Sequence, residues 1–162
     1  MYGWDERGQF RCAVPTVTLY HGTGHLDAAA IVEHVTLDWA NPRADFGRGF
    51  YTTASRAQAV DLTRLKAPAR RQRPAAVEIV VPTADLASLN VRVFAEDDEA
   101  FWTFVRHFRN TPRATPHPYD VVVGPVARDW GEPPLPWPGL DQISFHSPAA
   151  IALLNRSARN KM

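Results

Sequence analysis

Residues 16–24 read TVTLYHGTG, and the interpretation of the whole chain starts from this stretch. Residues 16–21 within it are mostly β-branched, apolar or aromatic, which favours a strand. Gly22 and Gly24 follow and permit a tight turn. Apolar residues then recur near helical spacing over 26–35, which predicts a helix. The opening unit is therefore predicted as a strand, a glycine turn and a helix.

The remaining chain is predicted to mix short strands with helices. Further strands are predicted at 49–53, 76–81, 89–94, 119–123 and 142–146. Further helices are predicted from Ser55 to about Leu65, from the acidic run 96–99 through Phe108, and from Ser147-Pro148 to about Leu154. Pro68, Gly124-Pro125 and the proline-rich segment 130–139 are expected to interrupt regular structure. Because strands outnumber helices and few connections are βαβ units, we predict an α+β fold with a mixed or largely antiparallel sheet.

The composition is that of a folded protein of moderate size. The 162 residues are 45% hydrophobic and 22% charged, with a net charge of +1. These values exclude a disordered chain and a protein with a strong general attraction for polyanions. The length predicts a single domain, residues 1–162, with its core over about 16–155.

Cysteine content and hydropathy limit the compartment. The lone Cys12 excludes an internal disulfide, and no Cys-x-x-Cys pair is present for zinc. No apolar run approaches the roughly 20 residues that span a bilayer. Residues 1–10 contain acids and lack the apolar segment of a signal peptide. We therefore expect a soluble, cytoplasmic protein with no metal site and no membrane partner.

The glycine turn is the first candidate binding site. His21-Gly22-Thr23-Gly24 lies between a predicted strand and a predicted helix, as the dinucleotide-binding motif G-x-G-x-x-G does. Asp27 occupies the third glycine position, where close helix packing needs a small residue, and the repeated parallel βαβ pattern is missing. On spacing alone, a tight turn explains these glycines better than a ligand site does.

Two further candidates lie on predicted strands. In GRGFYTT, residues 47–53, the glycines let a ligand approach the backbone, and Tyr51 can stack on a planar ring while its hydroxyl remains in water. The alternative for this strand is a core aromatic. In QISFH, residues 142–146, alternation places Gln142 and His146 on the same face. The alternative there is an ordinary solvent-facing surface.

These blocks, in this order, resemble a known superfamily. The set LYHGT (19–23), DFGRGFYTT (45–53) and QISFH (142–146) is similar to the ADP-ribosyltransferases, in particular the diphtheria-toxin-like and poly-ADP-ribose-polymerase-like branch, whose triad is a His, a Tyr and usually a Glu. With YDVVVGPVA (119–127), the blocks also resemble small bacterial domains regarded as ADP-ribosyltransferase-like toxins. The resemblance covers about residues 17–154. It implies a split β-sheet around a cleft, with flanking helices.

The resemblance implies NAD as co-substrate and assigns its contacts. His21 is expected to hydrogen-bond the adenosine ribose. The backbone of Gly22 is expected to grip the nicotinamide carboxamide, with help from the Thr23 hydroxyl. Tyr51 is expected to stack on the nicotinamide ring. These contacts fit the chemistry, since breaking the nicotinamide–ribose bond needs a pinned ring and stabilisation of positive charge on the ribose.

The chain departs from the family pattern at two positions. Gln142 occupies the place of the catalytic glutamate, but an amide carries no charge and cannot act as a general base. Asp141 is a poor substitute, because the next residue along a regular strand points to the other face. Leu62 stands where related toxins have a second tyrosine, so the ring is expected to lie between an aromatic and an aliphatic wall. The loop 38–48 is expected to cover the donor, with Arg48 at the pyrophosphate.

The activity implied by the resemblance is mono-ADP-ribosyl transfer to a macromolecular acceptor, protein or nucleic acid. The biological role implied is an intracellular bacterial toxin restrained by an antitoxin protein. An NAD glycohydrolase, with water as acceptor, is one alternative. Removal of a tRNA 2′-phosphate is another, and it needs several cleft arginines that the sequence does not place. The missing glutamate leaves an inactive NAD-binding or protein-interaction module as an alternative of a different class.

Overall fold

The part of the chain that the computed structural model describes has an α+β fold with two sheets. Cys12 and residues 130–132 of the proline-rich segment lie outside it. The described residues are 3–5, 7–9, 11, 13–69, 71–129 and 133–162. The elements in chain order are β1 (Thr16–Gly24), α1 (His25–Glu33), β2 (Phe50–Thr52), α2 (Arg56–Ala69), β3 (Pro74–Pro82), α3 (Thr83–Ala87), β4 (Val91–Val93), α4 (Glu99–Asn110), β5 (Val121–Asp129), β6 (Leu135–Phe145), α5 (Pro148–Arg156) and β7 (Ala158–Lys161).

The strands form two separate sheets. The first has the order β1-β3-β7 and is antiparallel throughout. The second has the order β2-β6-β5-β4, with the β4–β5 pair parallel and the other pairs antiparallel. The predicted α+β class, with mixed and largely antiparallel pairing, is confirmed.

Two hydrophobic clusters hold the sheets and helices together. The larger cluster contains Leu19 and Ile79 of the first sheet, Phe145 of the second and Leu153 of α5. The smaller cluster lies between the other face of the second sheet and α4, around Phe46. The second sheet is therefore covered on both faces.

The predicted helix starts are confirmed by their capping bonds. The Ser55 hydroxyl accepts from the Gln58 N–H at 3.2 Å, and the Ser147 hydroxyl accepts from the Ala150 N–H at 3.1 Å. The acidic run supplies Asp98, whose side chain caps the first turn of α4. Short polar side chains are favoured here because they satisfy N–H groups that have no partner within the helix.

The expectation that proline ends regular structure was wrong in three places. Helix α2 continues through Pro68 to Ala69, and because this proline lies in the final turn it removes only one late hydrogen bond. Strand β5 continues past Gly124-Pro125, and its register shifts directly after Pro125. Strand β6 begins at Leu135, inside the proline-rich segment. Its outer half pairs with β5 alone, so its prolines lie on a sheet edge, where a missing donor is tolerated.

Two short elements, α3 and β7, escaped the sequence analysis because they are too short for a periodic pattern. Strand β7 carries Arg159, whose guanidinium donates to carbonyl groups at the ends of two helices. The acceptors are Ile31 and Val32, each at 3.1 Å, Glu33 at 3.3 Å, and Leu154. Carbonyls in the last turn of a helix lack the usual partner four residues on, so Arg159 supplies donors there and joins α1 to α5.

We predict that Arg159→Met lowers the free energy of unfolding by about 2–3 kcal/mol, because it removes several charge-assisted bonds from a half-buried side chain. Urea denaturation measures the loss. Arg156→Met is the matched control, since the Arg156 side chain is 57% exposed and lies 3.8 Å from Asp85. We expect the control to lose less than about 1 kcal/mol. Equal losses in the two variants would contradict the assigned role.

Candidate functional site

The two sheets meet at one pair of residues. The Tyr20 N–H donates to the Thr53 carbonyl at 2.8 Å, and the Thr53 N–H donates back to the Tyr20 carbonyl at 2.9 Å. Next to this pair, the Nδ1 atom of His21 lies 2.6 Å from the Tyr51 carbonyl oxygen. Because a carbonyl can only accept, Nδ1 carries the proton. The end of β1 is thereby fixed against β2.

Beyond this junction, β1 continues to Gly24 with β3 paired along one edge. Backbone groups of alternate residues in a strand point to the same edge, so Gly22 directs its N–H and C=O the same way as Tyr20 does. Continuing the antiparallel register from the Tyr20–Thr53 pair sets Gly22 opposite Tyr51. The described residues contain no further bridge there. Gly22 is buried and directly follows His21, whose Nδ1 bonds to the Tyr51 carbonyl. The two positions assigned to the nicotinamide therefore belong to the same junction.

Gly22 is a glycine because helix α2 lies against it. A Cβ atom at this position would lie 2.1 Å from the Ala59 carbonyl oxygen and 3.3 Å from the Thr63 methyl group. The interpretation as a tight strand-to-helix turn was wrong, since Gly22 is inside β1. Leu62, half-buried, lies one helical turn beyond Ala59 on the same side of α2. The predicted aliphatic residue is thus on the helix that packs against Gly22.

The imidazole of His21 is held in a fixed orientation. Its ring stacks on Phe50 with centroids 4.5 Å apart and an interplanar angle of 24°. Its Nδ1 proton is directed to the Tyr51 carbonyl. Thr23, the other predicted polar contact on β1, is buried, and its hydroxyl lies 3.4 Å from an Asp27 carboxylate oxygen. The Thr23 hydroxyl is therefore occupied within the start of α1.

Tyr51 has a different environment from the one predicted. Its hydroxyl accepts from the Phe46 N–H at 2.9 Å and donates to the Gly47 carbonyl at 2.7 Å. Burial raises the pKa of the Tyr51 phenol well above its usual range. The prediction that this hydroxyl remains in water was wrong, because it anchors the turn at Gly47, where φ is +81°. The whole residue is half-buried.

Gln142 lies on the same sheet face as Tyr51. Tyr51 pairs with Ser144, and Gln142 is two residues away on the same strand. Its side chain is 8% exposed, and its Nε2 donates to the Asp45 carboxylate at 2.7 Å and to the Pro125 carbonyl at 2.9 Å. The alternative of a solvent-facing strand surface was wrong. The sequence analysis missed Asp45 altogether.

Asp45 is the centre of a buried polar network. It is 4% exposed, forms an ion pair with Arg109 of α4, and accepts from the Ala127 N–H at 2.9 Å. With Gln142 this gives the carboxylate three donor partners. Asp45 opens the DFGRGFYTT block, but its partners lie 64 or more residues away in the chain. No local pattern could have indicated them.

His146 completes the polar face. Its Nε2 lies 2.7 Å from the Ser144 hydroxyl and its Nδ1 lies 2.9 Å from the Arg48 carbonyl. The ring of His146 packs edge-on against that of His117, with the two ring centroids 4.3 Å apart. Burial, reinforced by His117, lowers the pKa of His146 to about 3, so the imidazole is neutral. The serine is fully buried, so this pair is no nucleophile that a substrate can reach.

Arg48 lies away from the junction. Its Nε donates to the Leu37 carbonyl at 2.8 Å, and it lines a groove of about 730 Å³ together with His117 and His146. Neither His21 nor Gly22 lines this groove. The structure therefore bonds His21 to the Tyr51 backbone and sets Gln142 on the same sheet face as Tyr51, whereas Arg48 lines a groove that His21 does not line.

The described residues offer no group of His, Cys, Asp and Glu side chains arranged to hold a metal ion. Within the same described ranges, no helix is long and apolar enough to cross a membrane.

Comparison with known proteins gives a family without an assigned role. A family model described as a protein of unknown function (DUF3990) matches residues 17–131, well over half of the chain, so the chain belongs to this family. The match runs from β1 to the end of β5 and includes Asp45 and Tyr51. Gln142, on β6, lies beyond it. No curated protein matches the chain.

We predict that His146 makes the fold sensitive to acid. Its folded pKa of about 3 lies below the ordinary value of about 6.5, so the unfolded chain takes up the proton first as the pH falls. The stabilisation is complete above pH 6.5 and is lost progressively toward pH 3. At pH 4.5 the loss should reach about 2–3 kcal/mol. Urea denaturation of the wild type and His146→Asn at pH 7.5 and 4.5 checks this, and an equal pH dependence in both would contradict it.

Proposed function

We propose that this member of the DUF3990 family transfers ADP-ribose from NAD to a macromolecular acceptor. One observation carries the proposal: the Nδ1 atom of His21 bonds to the Tyr51 carbonyl beside the Tyr20–Thr53 pair, so the residue directly before Gly22 is joined to the strand that carries Tyr51. The resemblance assigns nicotinamide binding to these same positions. A backbone edge beside a half-buried aromatic ring suits a flat carboxamide-bearing ring.

In this proposal the nicotinamide is held in two ways. Its carboxamide, which has both donors and an acceptor, pairs with the N–H and C=O of Gly22 as a short strand segment would. Its ring lies against Tyr51. Because the Tyr51 hydroxyl is bound to the turn at residues 46–47, the phenol ring is fixed before the donor arrives. A preorganised ring spends less binding energy on ordering.

His21 contacts the ribose on the adenosine side. Its Nδ1 proton is directed to the Tyr51 carbonyl, and the Phe50 ring holds the plane of the imidazole. The role of His21 is to orient the donor.

The reaction breaks the bond between ribose C1′ and the nicotinamide ring nitrogen. The nitrogen keeps the electron pair and leaves as a neutral molecule. A lone pair of the acceptor forms the new bond to C1′, and the acceptor's proton passes to solvent. The Gln142 amide oxygen stabilises the positive ribose by hydrogen bonding and dipole alone, so the acceptor must be nucleophilic without a general base.

An inactive module is the second candidate. The observation that favours it is that Gln142 is 8% exposed and bonded within the polar network. NAD glycohydrolysis remains an alternative enzymatic activity, which differs from the proposed one in using water as the acceptor. The toxin role and the antitoxin partner rest on the resemblance, and the acceptor is left open between protein and nucleic acid.

Incubation with NAD labelled in the adenosine part tests the proposal. We expect label on a macromolecule in cell extract, with nicotinamide released in equal amount. Digestion by protease or nuclease then assigns the acceptor class. Free ADP-ribose as the sole product would establish glycohydrolysis. If neither product forms and NAD does not bind, the proposal is contradicted.

We predict that two substitutions of Tyr51 separate the ring from the hydroxyl. Tyr51→Phe keeps the ring but removes two hydrogen bonds, so it should lower the free energy of unfolding by about 1–3 kcal/mol and retain NAD binding. Tyr51→Leu also removes the aromatic face, so its NAD affinity should fall about tenfold further. Calorimetric titration with NAD measures both affinities.

His34→Ala, an exposed residue at the end of α1, is the control for these affinities. It should bind NAD as the wild type does. Equal NAD affinities in wild type and Tyr51→Leu would remove Tyr51 from the proposed site.

A further inference from the structure

We infer that Asp45 is a positioning residue for Gln142: its carboxylate orients and polarises the amide that stands where the related family has a glutamate. The inference rests on the proposed function and deepens it. It explains how a neutral residue takes the glutamate's place.

The surroundings of Gln142 allow its carboxamide one orientation. The Asp45 carboxylate and the Pro125 carbonyl lie 2.7 and 2.9 Å from Nε2, and both are acceptors. A flipped amide would present oxygen to oxygen at both contacts. The Oε1 atom accepts from none of the described residues and is not among their fully buried unpaired atoms. Oε1 is therefore left to accept from an outside donor, such as a ribose hydroxyl.

The bond to Asp45 also strengthens that oxygen as an acceptor. A carboxylate that accepts from one end of a carboxamide draws positive character to the nitrogen and negative character to the oxygen. The effect is large where water is excluded, and both side chains are buried. Gln142 therefore presents a fixed, polarised oxygen on the sheet face that Tyr51 shares.

A glutamate at position 142 would be incompatible with Asp45. Its carboxylate would lie 2.7 Å from that of Asp45, where two negative charges cannot both persist, and it would face the Pro125 carbonyl. A glutamine turns both contacts into hydrogen bonds. The acid in the loop before β2 and the amide on β6 therefore form a matched pair.

Asp45 is itself held firmly. The guanidinium of Arg109 binds its Oδ1 through two nitrogens, and the Ala127 N–H binds its Oδ2. These partners come from α4 and β5, the elements that cover and flank the strand of Gln142. The carboxylate is thus fixed on three sides, as a group that orients another side chain has to be.

The test exchanges the acid and the amide. Wild type, Asp45→Asn, Gln142→Glu and the double variant are compared for nicotinamide release from NAD. We expect each single variant to lose about tenfold or more in kcat with KM within about threefold. The double variant should lose less than the product of the two single losses, because the two side chains contact each other directly.

Asn155→Asp is the matched control. It is the same acid–amide exchange in a half-buried side chain on α5, whose amide bonds both backbone groups of Val35 at 2.8 and 2.9 Å. It should lower the melting temperature but keep kcat when assayed well below melting. If Asp45→Asn loses no more activity than this control at equal loss of stability, the positioning role is overturned.

Two outcomes separate failure of the inference from failure of the proposed function. If the wild type releases nicotinamide and Asp45→Asn keeps its kcat, the inference alone is wrong. If the wild type neither releases nicotinamide nor binds NAD, the proposed function is wrong and the inference falls with it. A double-variant cycle on unfolding then still measures the Asp45–Gln142 contact, as a purely structural one.

Discussion

The fold depends on one short stretch of backbone pairing between its two sheets. Strand β1 meets β2 through the mutual bonds of Tyr20 and Thr53, and directly afterwards the pairing stops. A continuous sheet would have used the next backbone groups of β1 for another pair. Helix α2 packs against Gly22, and α4 covers one face of the second sheet. The edge of β1 at Gly22 is therefore enclosed within the fold, since Gly22 is buried. In the proposed function this edge pairs with a flat polar molecule.

The second constraint is a buried network of charge beneath that edge. Asp45, Arg109 and Gln142 come from the loop before β2, from α4 and from β6, and they bond to one another with little access to water. Burying such groups is costly unless every one has a partner, so the network fixes how these three elements fit together. It also determines which residue type is tolerated on β6. The residue type tolerated at position 142 therefore depends on Asp45, which lies 97 residues earlier in the chain.

The sequence was informative where signals are local. Caps at Ser55 and Ser147, the alternation of β1 and the amphipathic face of α4 predicted those elements correctly. Proline rules failed at Pro68 and in β6, because a final turn and a sheet edge tolerate a missing donor. The proximity of the His21 turn to the strand of Tyr51 was expected only from the resemblance. The polar network was not predicted at all, because Asp45 and Arg109 are distant in sequence and each belongs to a residue type that is usually exposed.

The contact of Gly22 with α2 has a consequence for redesign. The spacing between the strand and the helix is set by main-chain atoms, the glycine Cα on one side and the Ala59 carbonyl on the other. Substituting smaller side chains near Gly22 would therefore leave the distance between β1 and α2 unchanged. A bulkier analogue of the proposed dinucleotide would require α2 to be displaced or shortened, because backbone atoms of the fold set this distance.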